Sequence, residues 1–221
     1  MKVAALFSGG KDSAYAIYLA KKAGLNVKYI VSLFPEKKDS WMFHSVNIHL
    51  TEMLADAMNI NFIKKQTIGK KEHELNDLRD VLKKLDIGGV ISGAIASEYQ
   101  KNRIGKICKD LGLKSYTPLW GKKQEDVLND IIKTGFNVLI VGVSAEGLDK
   151  SWLGKKIDNQ TINNLLKIKK KYSINEAGEG GEFETLVLDG PIFEKKLVID
   201  KYVIEWKRDH GALKVIRAHL E

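Results

Sequence analysis

The chain has one cysteine, Cys108, in its 221 residues. A lone thiol rules out an internal disulfide framework. It also argues against sulfur transfer by a cysteine pair or an iron–sulfur cluster. No apolar run approaches the roughly 18 residues that a membrane-spanning helix needs. The five histidines show no zinc-binding spacing, and the chain contains neither an internal repeat nor a low-complexity tract. The N-terminus passes straight into an apolar run without a leader pattern, so a cytoplasmic protein is expected.

What is present is an ordinary globular balance, 44% apolar and 29% charged residues. The length suffices for one large domain or two small ones, each with an adequate core. The formal net charge of +8 suits ATP, nucleic acid or an acidic protein partner. The lysines, however, are spread along most helical stretches. Their tightest group, Lys167, Lys169, Lys170 and Lys171, reads as the solvated end of one helix.

The most informative stretch lies near the start. Residues 2–7 are an apolar run of strand length, and residues 14–23 read as a helix stopped by Gly24. Lys21 and Lys22 sit in its last turn, where the helix dipole favours cations. Between strand and helix stand Ser8, Gly9, Gly10, Lys11, Asp12 and Ser13. A glycine-rich turn into a helix N-terminus presents backbone N–H groups to an anion, with the positive dipole end behind them. The glycines let a phosphate approach closely, and Lys11 on this exposed loop adds a full charge. The spacing matches neither the P-loop, with four residues before its Gly-Lys pair, nor Gly-x-Gly-x-x-Gly. The bland alternative is a tight turn capped by Asp12 or Ser13.

Strands and helices then alternate. Residues 27–34 read as a second strand ended by Pro35, and a third begins at Asn61. Leu75, Leu78, Leu82 and Leu85 mark an amphipathic helix. Residues 88–93 form a short Gly-rich strand, a helix follows with Ile104, Ile107 and Leu111, and 136–143 is the last strongly apolar run. This pattern predicts an α/β fold, a doubly wound and mostly parallel sheet covered on both faces. Beyond residue 145 it gives way to a helix capped by Asp158 and to strands near 186–188, 198–206 and 212–219, the last two joined by a turn at 209–211. The expected organisation is an ATP-binding domain over 1–145 and a smaller C-terminal α+β domain over 146–221 that contributes to the substrate site.

Ligands of such sheets bind beyond the carboxyl ends of the strands, at the switch point of the topology. That singles out the phosphate loop, the end of strand two, and residues 92–99, which include Glu98 and Tyr99. The loop 36–45 carries Trp41, Phe43 and His44, which form either a lid over the site or the loop's own anchor; His44 titrates near neutrality. In the tail, Glu179, Gly180, Gly181, Glu182, Phe183, Glu184 and Thr185 set three carboxylates around two glycines where a strand begins. Either this is a solvated turn or its acids face the site. Alternation along a strand places Glu182 and Glu184 on one face and turns Phe183 into the core. Clustered acids repel, which suits a proton acceptor or an ammonium site.

The phosphate loop resembles that of the ATP pyrophosphatases, which activate a carbonyl as its adenylate. Residues 96–103, Thr117-Pro118-Leu119-Trp120, the 179–185 motif and Leu188-Asp189-Gly190-Pro191 extend the likeness over essentially the whole chain. Together they resemble the archaeal-type diphthine–ammonia ligase, or diphthamide synthase, family of this PP-loop superfamily. The resemblance implies an adenine nucleotide alpha hydrolase-like fold and the amidation of diphthine, a modified histidine of elongation factor 2. ATP adenylates the carboxylate, and ammonia then displaces AMP.

On that resemblance Ser8 to Ser13 hold the phosphates, Lys11 stabilises the departing pyrophosphate, and Asp12 helps to place Mg²⁺. The backbone of Val31 and Leu33 meets the adenine edge. Lys11, Asp12, Glu182 and Glu184 are the expected catalytic residues. His44, Glu98, Tyr99, Glu179, Gly180, Gly181 and Thr185 are the expected substrate contacts. The carboxylates bind ammonium, accept its proton or attract the trimethylammonium group of diphthine, and the sequence does not choose among these. Ammonium, not glutamine, is the expected nitrogen source, with Cys108 a packing residue of its helix. The expected partners are elongation factor 2 and a second copy in a homodimer, with no membrane and no nucleic acid. The alternatives are a tRNA-modifying PP-loop enzyme and a non-catalytic nucleotide-binding sensor.

Overall fold

The computed structural model describes residues 1–36, 46–68 and 71–221, with Lys71 and Glu72 described through their backbone alone. Strands β1 (Lys2–Leu6), β2 (Asn26–Pro35), β3 (Asn61–Thr67), β4 (Gly89–Ile91) and β5 (Lys114–Tyr116) form a parallel sheet in the order β3-β2-β1-β4-β5. Helices α1 (Lys11–Lys22), α2 (Thr51–Ala57), α3 (Lys71–Leu82) and α4 (Glu98–Asp110) connect them. Central strands are apolar on both sides because both sides are covered. Val3 and Ala5 join one core with Ile17 of α1 and Leu54 of α2, while Ala4 joins another with Leu78 of α3 and Ile107 of α4. This is the doubly wound α/β fold that the alternation predicts. Strand order reverses beside β1, so the phosphate loop leaves the sheet at the switch point.

Three local features differ from the sequence reading. Helix α1 starts at Lys11, because Gly10 takes an extended conformation (φ −85°, ψ 165°) and so becomes the residue before the first turn. The edge strand β5 has only three residues, Lys114–Tyr116, too short and polar to leave a periodic signal. The hairpin turn falls at Arg208 and Asp209, one residue earlier than expected.

A larger difference concerns β6 (Asn137–Val143). It joins no parallel strand, but pairs antiparallel with β7 (Phe183–Asp189) and β9 (His210–Leu220). With β8 (Leu197–Lys207) they form a second sheet in the order β7-β6-β9-β8. An interior strand buried on both faces has the same unbroken apolar run in either kind of sheet, so the run itself could not assign β6. Helices α5 (Gln124–Lys133) and α6 (Asn159–Tyr172) touch each other. Asp158 caps α6 as expected, its carboxylate accepting from the Thr161 N–H at 2.8 Å.

The second sheet has no core of its own. Val138, Ile140, Phe183, Leu186 and Leu213 share one buried cluster with Val3, Phe7, Ile17 and Leu54. β7 lies against α1, and β8 and β9 lie against α2. The two sheets thus meet across the α1 and α2 layer, and the carboxyl end of β1 opens towards β7. Among the described residues no helix is long and apolar enough to cross a membrane.

Candidate active site

The phosphate loop is clamped by β7. Gly9, at φ +84°, occupies the left-handed region where only glycine is unstrained. Its carbonyl accepts from the Val187 N–H at 2.9 Å. The Lys11 N–H donates to Thr185 Oγ1 at 3.1 Å. A methyl group on Gly93, just after β4, would sit 2.7 Å from the backbone of Asp12 and Ser13, so glycine there lets the next strand close on the loop. The first turn of a helix leaves its N–H groups without internal acceptors. Thr185 takes that of Lys11, and those of Asp12 and Ser13 have no acceptor among the described residues.

Lys11 does not project from an exposed loop, as the sequence suggested. It is 3% exposed, and its ammonium donates to the Ala177 carbonyl at 2.6 Å and to Asp12 Oδ2 at 2.8 Å. The Phe183 ring lies beneath it, 5.5 Å to the centroid. The reason is tertiary, since the 175–182 segment folds over the loop and supplies the carbonyl. Burial raises the Asp12 carboxyl above the ordinary aspartate range, and the Lys11 charge opposes that rise. Asp12 Oδ1 is buried with no hydrogen-bond partner among the described residues.

The tail motif separates into three roles. Glu179 accepts from the Ile95 N–H at 2.6 Å and from the Ala96 N–H at 2.8 and 2.9 Å, which ties the tail to the loop after β4. Glu182 accepts from the Asn175 and Gly180 N–H groups, both at 2.9 Å. A Cβ on Gly180 would lie 2.8 Å from the Glu182 carboxylate, which would have to shift to admit it. The expected alternation that pairs Glu182 with Glu184 does not hold. β7 begins at Phe183, so Glu182 precedes the strand and turns back into its own loop. Phe183 does enter the core. Glu184 accepts from the Val46 N–H at 2.8 Å and lies over Gly142, whose Cβ would come 3.1 Å from that of Glu184.

Two cavities meet at Glu184. The smaller, about 140 Å³, is lined by Ser8, Gly10, Lys11, Asp12 and Ser13 and by Gly178, Phe183, Glu184 and Thr185. The larger, about 500 Å³, runs from Pro35 and Glu36 past Val46, Gly142 and Gly181 to one face of the β8–β9 hairpin. That face contributes Glu205, Lys207, His210 and Lys214. Sequence reasoning missed all four, because nothing local shows that a hairpin 200 residues along the chain returns to the phosphate loop.

The remaining predicted residues that the structure describes do not line these cavities. Val31 and Leu33 bury their side chains in the core under α3 and α4. The Val31 carbonyl accepts from the Phe7 N–H at 3.0 Å. Leu33, two residues on, lies past the last β1 pair, with its peptide groups turned by alternation towards the same side. Ser97 caps α4, its hydroxyl accepting from the Gln100 N–H at 3.4 Å, and the exposed Glu98 opens that helix, an ordinary place for an acid. The Tyr99 ring is covered by the Arg103 guanidinium, 3.7 Å from its centroid. Trp41, Phe43 and His44 lie outside the described residues. Cys108 is buried within α4, and burial pushes its thiol up to about 11. Among the described residues no three His, Cys, Asp or Glu side chains converge as a metal cage.

Residues 1–115 match the family model of the diphthamide synthase N-terminal domain, and residues 123–220 match that of its C-terminal domain. The chain belongs to the diphthamide synthase family. Among its relatives is the diphthine–ammonia ligase of Bos taurus, 35% identical over all of this chain and 93% of its own length. The human diphthine–ammonia ligase is 35% identical over 90% of this chain and 83% of its own. That of Schizosaccharomyces pombe is 36% identical over 93% of this chain, but the match spans 37% of the longer relative. A predicted subunit of tRNA methyltransferase from Methanocaldococcus jannaschii shares the fold, with a TM-score of 0.50 at 16% identity over 86% of this chain and 98% of its own. The interval between the two matched segments falls at the end of β5, where the chain leaves the parallel sheet.

Proposed function

We propose that this chain is the ATP-dependent ligase that converts the carboxylate of diphthine on elongation factor 2 to its amide, with ammonium as the nitrogen source. The observation that carries the reading is Glu184, which lines both the phosphate pocket and the larger cavity beside it. An adenylating ligase needs that adjacency, because its acyl acceptor and the nucleotide phosphates must meet at one carboxylate.

A carboxylate is a poor acyl donor, since its leaving group would be oxide. ATP supplies the remedy by adenylation. A carboxylate oxygen of diphthine bonds to the α-phosphorus and pyrophosphate departs. Ammonia then adds to the carbonyl carbon, gives up a proton, and AMP leaves with the acyl oxygen. The chain's work is to clamp phosphate charge and position the two reactants. The Asp12 and Ser13 N–H groups at the α1 N-terminus and the Lys11 ammonium serve the phosphates. The peptide edge at Leu33, continuing from Val31 past the last β1 pair, serves the adenine. Glu184 holds ammonium and takes its proton, the work of a positioned general base. Glu179, Glu182 and Thr185 act through the backbone they fix.

Mg²⁺ fits this arrangement. One buried, unpartnered carboxylate oxygen at Asp12, without a protein cage, matches the way Mg²⁺ is held by one or two carboxylates and substrate phosphates. There it would neutralise phosphate charge.

The test is incubation of the purified chain with ATP, ammonium and diphthine-bearing elongation factor 2. AMP, pyrophosphate and amide should form in equal amounts. Formation of ADP and phosphate without AMP excludes the reading, and nucleotide binding without turnover supports a sensor instead.

A further inference from the structure

The larger cavity takes one wall from the β8–β9 hairpin, through Glu205, Lys207, His210 and Lys214. These residues share one face, because Lys207 stands directly opposite His210 in the ladder. The charges on the hairpin are unevenly satisfied. Lys214 pairs with Glu205, and His210 pairs with Asp209 at 3.0 Å. Lys207 and Arg208 are exposed and form no ion pair among the described residues. Arg208 has φ +47°, a left-handed conformation that an arginine adopts at a steric cost and glycine at none. A strained backbone at a turn motivates a functional hypothesis for the residue that bears it.

The hairpin end is also stiff. Gly211 packs under Trp206, whose ring a Cβ would meet at 2.4 Å, and Gly211 pairs with Val143 of the central strand β6. Two cations without an ion pair among the described residues thus stand at a stiff turn, and Lys207 lines the cavity beside it.

We infer that this hairpin end is the docking point for the protein substrate, and that the substrate presents acidic side chains to Lys207 and Arg208. The inference rests on the ligase reading, which requires a side chain still attached to its polypeptide to enter the cavity. Its backbone must then cross the rim. Rim charges act mainly through encounter and salt dependence and leave the chemistry alone. Lys207 and Arg208 therefore set affinity for the protein substrate without touching the reacting atoms.

The test titrates diphthine-bearing elongation factor 2, without ATP, into the wild type, the Lys207→Glu/Arg208→Glu double variant, Arg208→Gly and Lys207→Arg, at low and high salt. Charge reversal should weaken binding about tenfold and flatten its salt dependence. In turnover it should raise KM for the protein substrate by a similar factor, with kcat and KM for ATP unchanged. Arg208→Gly should weaken binding by about threefold while Tm stays level or rises, because glycine relieves the φ strain. Lys207→Arg should keep wild-type affinity. Lys201→Glu, on the same hairpin but away from the cavity, should change nothing. Equal affinity and salt dependence in the charge-reversed and wild-type chains overturn the inference, as does a wild type that does not bind. A wild type that binds the factor but forms no AMP overturns the ligase reading alone, and the variants' affinities still decide the docking site.

Discussion

The phosphate pocket draws five of its nine lining residues from one stretch, residues 8–13, whereas the larger cavity gathers fifteen from the end of β2, residues 46–48, the end of β6, the 181–184 segment and the hairpin. In the first, the donors are fixed twice over, by the turn itself and by β7 through Thr185 and Val187. In the second, the hairpin contributes six residues and each of the other segments two or three, and only the packing of the two sheets sets their spacing. The small pocket is therefore rigid and chemically specified, and damage to it reaches both stability and turnover. In the large one, side chains can change at little cost in stability, and on the proposed reading they serve recognition. Glu184 belongs to both, and it separates the two kinds of effect.

The comparison is tested most severely at Lys11. Lys11→Met removes the charge beside the departing pyrophosphate and should lower AMP formation by about 10²–10³. It also leaves the Ala177 carbonyl and Asp12 without their donor, at about 1–3 kcal/mol, so the melting temperature should fall by about 2–4 °C for each kcal/mol lost. A variant that melts like the wild type would show that the buried contact carries no weight in the fold.

Glu184→Gln comes next. The amide oxygen still accepts from the Val46 N–H, so folding and ATP binding should persist. Loss of the proton acceptor should slow amide formation by about 10². Unchanged amide yield would remove Glu184 from the chemistry and leave the two cavities unconnected. Glu182→Ala sharpens the contrast, since it strips acceptors from the Asn175 and Gly180 N–H groups. It should cost about 1–3 kcal/mol in thermal melts and leave kcat within about twofold. A kinetic defect at unchanged stability would restore the pairing of Glu182 with Glu184 that the strand register denies.

The smallest effect is expected at Cys108. With its thiol pushed up to about 11, only about one molecule in a thousand carries the reactive thiolate at pH 8. Thiol reagents should modify the native chain slowly, and Cys108→Ser should retain activity with ammonium. Loss of ammonium-dependent activity in that variant would put the thiol in the mechanism.

Much of the fold was legible because the signals that specify it are local. Alternating apolar runs and helical spacings announce a parallel sheet, and a glycine turn after a buried strand announces an anion site, since both depend on residues a few positions apart. The 179–185 motif was legible as a cluster of acids but not as three separate roles. Its chemistry depends on where each carboxylate finds its donors: Ile95 and Ala96 for Glu179, its own loop for Glu182, and Val46 for Glu184.

By itself, then, the sequence determined the doubly wound sheet, the loop at its switch point and the buried, inert cysteine. Tertiary structure alone decided the rest. It placed β6 in the antiparallel sheet, drew Lys11 under a carbonyl of the tail, and brought the hairpin round to wall the larger cavity. The physical reason is separation along the chain. The contacts that decide these features join residues as far apart as Lys11 and Thr185, 174 positions distant, and no periodicity or turn preference reaches across that interval. Only burial of one shared core brings those residues together.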